Sequence, residues 1–378
     1  MLKFVHTLSL VLLMVVSLMA PPAQASTCSL VNGSTLQPMS PVVASPVIQG
    51  SITVGRDIPI GTILYKSTYW GSAAIPAYKC DVGGTGYLSY EINTAPSYGL
   101  STWVAPNGAK VYLTHIAGIG VYASNETPGN TGGGIPWTGS GFSLAGGGVT
   151  GFMDPTGNAT MTSFVLNVVK ISNTVGTGTL TSADFPTVKY YFNSTNRFPY
   201  LQSNAVAGSV VVVAGTCTTP DVYVDMGSHA VSELTGIRTG TAWVNFSAQL
   251  TNCPAFFGYN QYRVYPFAGT STASSLASNA INFTIQAVAG WSAGADLGVL
   301  LLQPDGVHPT ATGIGIQLAM GSNGANVINQ NAYPLGSVSV TATPQNYSIN
   351  MSARYIQTNS TTAAGQANGA ATITLIYL

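Results

Sequence analysis

Tyr347-Ser-Ile-Asn-Met-Ser-Ala-Arg-Tyr355 alternates without a break. Tyr347, Ile349, Met351, Ala353 and Tyr355 fall on one face, and Ser348, Asn350, Ser352 and Arg354 on the other. A period of two sends successive side chains to opposite faces of a strand, so the stretch reads as a half-buried antiparallel strand. Working outward, Thr241-Ala-Trp-Val-Asn-Phe-Ser-Ala-Gln-Leu250 repeats the pattern with Ala242, Val244, Phe246, Ala248 and Leu250 inward, and Asp221-Val-Tyr-Val-Asp-Met226 does so more briefly. At the end of the sequence, Ala371, Ile373, Leu375 and Tyr377 alternate against Thr372, Thr374 and Ile376. No window of comparable length shows a capped helical period. Short strands parted by Gly, Pro, Asn and Ser turns point to an all-β protein built from β-sandwiches.

Composition agrees. The 378 residues include 43 Gly and 21 Pro but only 11 Lys plus Arg and 11 Asp plus Glu, which withholds good helix formers and supplies turns. Charged residues make up 6%, against about 25% in ordinary globular domains. Basic residues scattered from Lys3 to Arg354 with no two adjacent cannot form a phosphate-binding footprint, so a nucleic-acid partner is excluded. With 46% hydrophobic residues and no net charge the chain should fold. A boundary is expected near Ala214, where the run Val210-Val-Val-Val-Ala-Gly-Thr-Cys217 opens a newly patterned segment. This divides the chain into 1–25, 26–213 and 214–378, with no fixed-period repeat.

The first of these is expected to be a signal peptide rather than structure. Lys3 gives a positive start, Leu8 to Ala20 an apolar run too short to span a membrane, and Ala23-Gln-Ala25 a cleavage signal. Export places all four cysteines where disulfides form. Of the three connectivities, sequence separation selects Cys28 with Cys80 and Cys217 with Cys253, one bridge for each part. Neither CxxC nor HxxxH occurs, so neither a metal site nor a cofactor is expected.

Cys217-Thr-Thr-Pro-Asp-Val-Tyr-Val-Asp-Met-Gly227, Leu250-Thr-Asn-Cys-Pro254, Gly313-Ile-Gly-Ile-Gln-Leu318 and the ending from Gly365 to Tyr377 resemble, in order and spacing, the pilin domain of chaperone–usher fimbriae. The resemblance implies an immunoglobulin-like sandwich that lacks its last strand. A periplasmic pilus chaperone, then an outer-membrane usher and the adjacent fimbrial subunit, would be its partners, the subunit donating the missing strand. It further implies that Gly365, Ile373, Leu375 and Tyr377 mark the strand recognised by chaperone and donor. The expected mature start Ser26-Thr-Cys28 leaves no room for a donor extension, and Val54-Gly-Arg-Asp-Ile-Pro-Ile-Gly61 resembles a segment of type 3-like adhesins. Together these resemble a two-domain fimbrial tip adhesin of the type 1 and type 3 kind, exported through the periplasm to the fimbrial tip. The lectin-like first domain would bind a host glycan or matrix protein, although the pocket of the mannose-binding type 1 adhesin does not map onto this sequence.

Sugar sites combine an aromatic platform with carboxylates and amides. Candidates are Trp70, Trp103 and Trp137, with Tyr69 beside them and Asp81, Asn125, Glu126, Asp154 and Arg197 as polar partners. Each tryptophan could equally pack a sandwich core, and Trp137 is the best placed because it follows Gly132-Gly-Gly-Ile-Pro136. Two other readings compete: a non-adhesive tip-capping subunit, and a secreted serine hydrolase using Ser292 in Gly290-Trp-Ser-Ala-Gly294 with Asp296 or Asp305 and His308. The hydrolase motif requires a strand-to-helix elbow that an antiparallel pattern does not provide, so no enzyme is expected. Nine N-x-[ST] sequons, such as those at Asn32 and Asn245, would suit a eukaryotic surface protein but arise readily in a chain so rich in Asn, Ser and Thr.

Overall fold

The computed structural model describes residues 25–33, 35–71, 76–125, 133–147, 149–151, 163–266, 268–293 and 297–378. The expected signal segment, apart from Ala25, lies outside the described residues, as do Glu126, Asp154 and Asp296. Among the described residues there is no α-helix. The first strands in chain order are β1 Cys28–Asn32, β2 Val42–Ala44, β3 Val47–Val54, β4 Ile63–Tyr69, β5 Pro76–Cys80, β6 Gly84–Thr94, β7 Leu100–Val104, β8 Lys110–Leu113 and β9 Ile119–Ser124. Then come β10 Trp137–Thr138, β11 Phe142–Leu144, β12 Val149–Gly151, β13 Phe164–Lys170, β14 Gly178–Leu180, β15 Thr187–Asn193, β16 Arg197–Ser203 and β17 Ala207–Ala214. The remainder are β18 Val244–Cys253, β19 Tyr259–Tyr265, β20 Thr270–Ala277, β21 Ile281–Ala287, β22 Val299–Leu300, β23 Ile314–Met320, β24 Asn326–Val327, β25 Gly336–Val338, β26 Gln345–Gln357 and β27 Ala371–Tyr377.

In the first sandwich a six-stranded sheet, β10-β6-β15-β16-β2 with β11 beside β6, faces a seven-stranded sheet, β20-β19-β4-β13-β9-β8-β7. Aromatic side chains fill the space between them: Phe164 of one sheet meets Tyr190 of the other edge to face with ring centres 6.3 Å apart, and Tyr65, Tyr190, Tyr200 and Phe192 are fully buried. Strand β13 is buried on both faces. Its outer face is covered by a satellite cluster of Ala105, Ala109, Val111, Tyr122 and Val169, which explains why Phe-Val-Leu-Asn-Val-Val-Lys reads as a continuous run rather than an alternation. The run ends in Lys170, fully buried, whose ammonium donates to the carbonyls of Gly55, Arg56 and Ile58 at 3.2, 2.7 and 2.9 Å. These three acceptors offset the cost of taking the charge out of water.

The second sandwich packs β18-β26-β23-β22, with β24 beside β23, against β25-β21-β27. Ile349, Met351 and Ala353 of β26 are buried as their alternation requires, while Tyr347 and Tyr355 at its ends are partly buried. Two readings are corrected here. The strand expected from Thr241 begins at Val244: Thr241 bonds the same neighbour, donating its N–H to the Tyr355 carbonyl of β26 and accepting the Tyr355 N–H on its hydroxyl, but the ladder is interrupted between Thr241 and Val244. Residues 221–226 join no ladder among the described residues: Val224 and Met226 are half-buried, Tyr223 is 94% exposed, and the alternation has no described strand beside it to pair with.

The two disulfides are Cys28–Cys80 and Cys217–Cys253. Strand β17 ends at Ala214, but the chain returns. The hairpin β19–β20, from the second half of the sequence, adds to the first sandwich with β19 parallel to β4 from Asn260 opposite Tyr65 to Val264 opposite Tyr69. Tyr259 and Tyr262 are buried in the first core, and Thr53 Oγ1 both donates to the Ala255 carbonyl and accepts from the Phe257 N–H, at 2.8 and 2.9 Å.

Candidate functional site

Strand β27 pairs with β21 along one side only. Ala280 and Leu378 exchange both backbone hydrogen bonds, at 3.1 and 2.9 Å, and Val288 donates to Ala370 at 2.9 Å. In an antiparallel ladder bonded and non-bonded pairs alternate, so the N–H and C=O groups of Ala371, Ile373, Leu375 and Tyr377 aim away from β21. No strand among the described residues lies on that side. The same four residues turn their side chains toward the second core, where Tyr377 is 2% exposed but Ala371, Ile373 and Leu375 remain only partly buried. This open edge runs over apolar residues that one more strand would cover. Gly365 lies ahead of β27, where the neighbouring Gln366 exchanges backbone bonds with Pro309 and Ala311. A separate recess lined by Phe283, Met320, Leu335 and Ile349 opens on the far side of β21, beside β25.

The end of this edge touches the first sandwich. Asp57 donates its N–H to the Tyr377 carbonyl at 3.0 Å and accepts the Tyr377 N–H on its carboxylate at 2.8 Å. Arg56 grips Asp57 with two hydrogen bonds of 2.8 and 2.9 Å and donates a third, of 2.8 Å, to the Leu375 carbonyl. Burial alone would raise the Asp57 pKa, but the hydrogen bonds from Arg56 and Tyr377, with the charges of Arg56 and Lys170, hold it below the ordinary carboxylate value. The Tyr377 hydroxyl accepts the Cys217 N–H at 3.0 Å, and burial pushes this phenol up. These contacts were not foreseen from the sequence, which marked Arg56 and Asp57 only as part of a family-like segment.

The four residues proposed to bind a receptor do not converge. Trp70 follows β4 with its ring 6.2 Å from Tyr265, at the seam with the hairpin. Asp81 accepts the N–H groups of Thr27 and Val82, both at 2.7 Å, and so organises its own loop. Trp103, in β7, packs against the satellite cluster, on the opposite edge of the seven-stranded sheet from the hairpin. Trp137, in β10, is 41% exposed and stacks on Tyr90 at 5.1 Å with 25° between the planes. Its ring lies against Gly133 and Gly139, where an added Cβ would come to 3.2 and 2.5 Å. Tyr69 is buried on Phe164, Arg197 covers the Tyr191 ring at 3.6 Å and pairs with Glu91, and the side-chain oxygen of Asn125 is buried with no hydrogen-bond partner among the described residues.

Two family profiles divide the chain: "MrkD-like receptor binding domain" matches residues 47–208, and "Fimbrial protein" matches residues 205–378. The chain belongs to the two-domain fimbrial adhesins of the chaperone–usher pathway. A "Fimbria adhesin protein" of Klebsiella pneumoniae is 25% identical over 283 residues, 71% of each chain. Among solved structures, the receptor-binding domain of the plasmid-borne K. pneumoniae adhesin MrkD1P is 22% identical, covering 51% of this chain and 98% of its own, with a TM-score of 0.33. The CupB6 tip adhesin of Pseudomonas aeruginosa is 14% identical, covering 93% and 94%, with a TM-score of 0.34. In this adhesin Gly294 lies outside the described residues, and the part of the Gly290 to Gly294 stretch that is described pairs in antiparallel fashion: Trp291 bridges Leu300, and Ser292 donates its N–H to the Val299 carbonyl. Asp305 and His308 bond each other at 2.8 Å, and the hydrogen bonds from His308 help hold the Asp305 carboxyl at about 2.

Proposed function

We propose that this adhesin stands at the fimbrial tip on the cell surface, binds a host glycan or an extracellular-matrix protein through its first sandwich, and is joined to the fibre by donor-strand exchange at β27. The open edge of β27 over half-buried Ala371, Ile373 and Leu375 carries this reading. An unpaired edge above uncovered apolar side chains is a template for another chain's strand, and it invites aggregation until filled. A periplasmic pilus chaperone would occupy it first, the usher would present it for assembly, and the adjacent subunit would fill it in the fibre. For the receptor, Trp137 is the platform best suited to the apolar face of a sugar ring: 41% exposed, stacked on Tyr90, and held in place against the backbone of Gly133 and Gly139.

The test uses the full disulfide-bonded chain, co-expressed with and without a pilus chaperone and then screened against immobilised glycans and matrix proteins. Soluble yield should depend on the chaperone, and selective binding should fall at least about tenfold in Trp137→Ala, the loss of one good stacking contact. Chaperone-independent monomers would sink the donor-strand reading. A folded chain that binds nothing on the panel would favour a non-adhesive tip-capping subunit.

A further inference from the structure

We infer that Arg56 and Asp57 form an end-stop that sets where a strand added to β27 must finish, so that the first sandwich fixes the register of the neighbouring subunit. The inference rests on the donor-strand reading above. Its occupant is the same, an alternately apolar extension of the adjoining subunit, and what it adds is the length of edge that this extension can use.

A strand docking on β27 must bond to the outward N–H and C=O groups of Ala371, Ile373, Leu375 and Tyr377. Tyr377 is already taken, because Asp57 presents a backbone N–H to its carbonyl and a carboxylate oxygen to its N–H, at 3.0 and 2.8 Å. That donor and acceptor reproduce what a paired strand residue would offer. The Leu375 carbonyl is taken by Arg56 at 2.8 Å. What remains is both groups of Ala371, both of Ile373, and the N–H of Leu375.

The stop is firmly seated. Lys170 holds the carbonyls of Gly55, Arg56 and Ile58 from beneath. Gly55 lies so close that a Cβ there would come within 2.4 Å of the Tyr377 oxygen. Paired strands stand about 4.8 Å apart, so no second backbone fits between this loop and the strand end. An incoming strand can therefore run beside Ala371 to Leu375 and no further, unless the loop is displaced.

The experiment uses the full chain, released from its chaperone into synthetic peptides of alternating Val and Thr that lengthen stepwise toward Tyr377. Affinity and amide exchange over β27 are followed by mass spectrometry. In the native chain affinity should stop rising once the peptide reaches Leu375, and exchange at the Tyr377 amide should not respond. In the Arg56→Ala, Asp57→Ala double variant, which frees the Leu375 carbonyl and the Tyr377 N–H and loosens the loop, the longest peptides should bind roughly tenfold tighter than in the native chain, as two added hydrogen bonds allow, and should slow Tyr377 exchange. Asp57→Asn, which keeps an acceptor for the Tyr377 N–H, serves if the double variant fails to fold; it should show an intermediate gain. Equal gains with length in native and variant chains would overturn the stop. Failure of every peptide to slow exchange at Ile373 and Leu375 in any form would instead overturn the donor-strand reading beneath it.

Discussion

The two sandwiches differ in how their inward residues end up. In the first, Phe164, Tyr190 and Tyr200 are fully buried between two broad sheets. In the second, Ala371, Ile373 and Leu375 point inward with the same regularity and remain only partly buried, because no strand among the described residues pairs with the outer edge of theirs. Alternation decides which way a side chain points. The number of covering strands decides whether it leaves water, and here that number differs by one at β27. The first sandwich reaches closure partly on borrowed material, since β19 and β20 come from the second half of the chain.

The borrowing gives the largest expected effect. A fragment ending at residue 213 loses one of the two partners of β4 and the buried rings of Tyr259 and Tyr262. At about 2 kcal/mol for each buried aromatic ring, the fragment should be some 4 kcal/mol less stable and melt roughly 10 °C below the same sandwich in the full chain. Calorimetry of the two disulfide-bonded proteins would show it, and equal melting would mean that the hairpin only rests on the sheet. Next, Phe164→Ala should cost about 3 to 4 kcal/mol in denaturant unfolding, as a fully enclosed ring does. Ile373→Ala should cost only about 1 kcal/mol in the unfilled chain and weaken the bound donor strand further, because its remaining burial comes only with the partner.

A smaller effect distinguishes the junction from both sandwiches. Asp57 has a lowered pKa in the folded chain, so its grip on Tyr377 is present above its unfolded value near about 4 and is lost as pH falls through the lower folded value. Exchange at the Tyr377 amide, corrected for its intrinsic rate, should accelerate in that acid window, and Asp57→Asn should remove most of the dependence. An unchanged exchange profile would show that the backbone contact alone holds the strand end.

Much of this architecture was legible in local pattern. The alternations at 347–355 and 371–377 became β26 and β27, and near-neighbour cysteines became the two bridges. What stayed hidden depended on partners distant in sequence. Tyr259 to Tyr265 carries an ordinary strand signal, but nothing in it names β4 as its neighbour. Residues 221–226 alternate as well as many strands do and yet pair with no strand among the described residues, since pairing requires a second chain segment that the pattern cannot supply. Arg56 and Asp57 looked like a loop motif because their acceptors, Leu375 and Tyr377, lie more than three hundred residues away. Among the tryptophans the sequence could not separate packing from display: Trp103 joins a cluster and Trp137 is exposed, and only the sheets on either side make the difference.

That contrast frames the smallest effect expected on stability. Trp137 is 41% exposed and lies at the edge of its sheet, joined to β6 by a two-residue ladder, so truncation removes one stacked contact with Tyr90 and little enclosed volume. Trp137→Ala should therefore cost no more than about 1 kcal/mol, and Trp103→Ala, which empties part of a packed cluster, should cost at least about 2 kcal/mol. If Trp137 is the receptor platform, the order reverses for binding: the variant with the smaller stability loss suffers the larger loss of adhesion to the glycan or matrix panel. Measuring both quantities on both variants separates a surface kept for recognition from one left over by packing. Equal losses of adhesion from the two would mean that binding merely follows stability, and the platform would have to be sought elsewhere on the first sandwich.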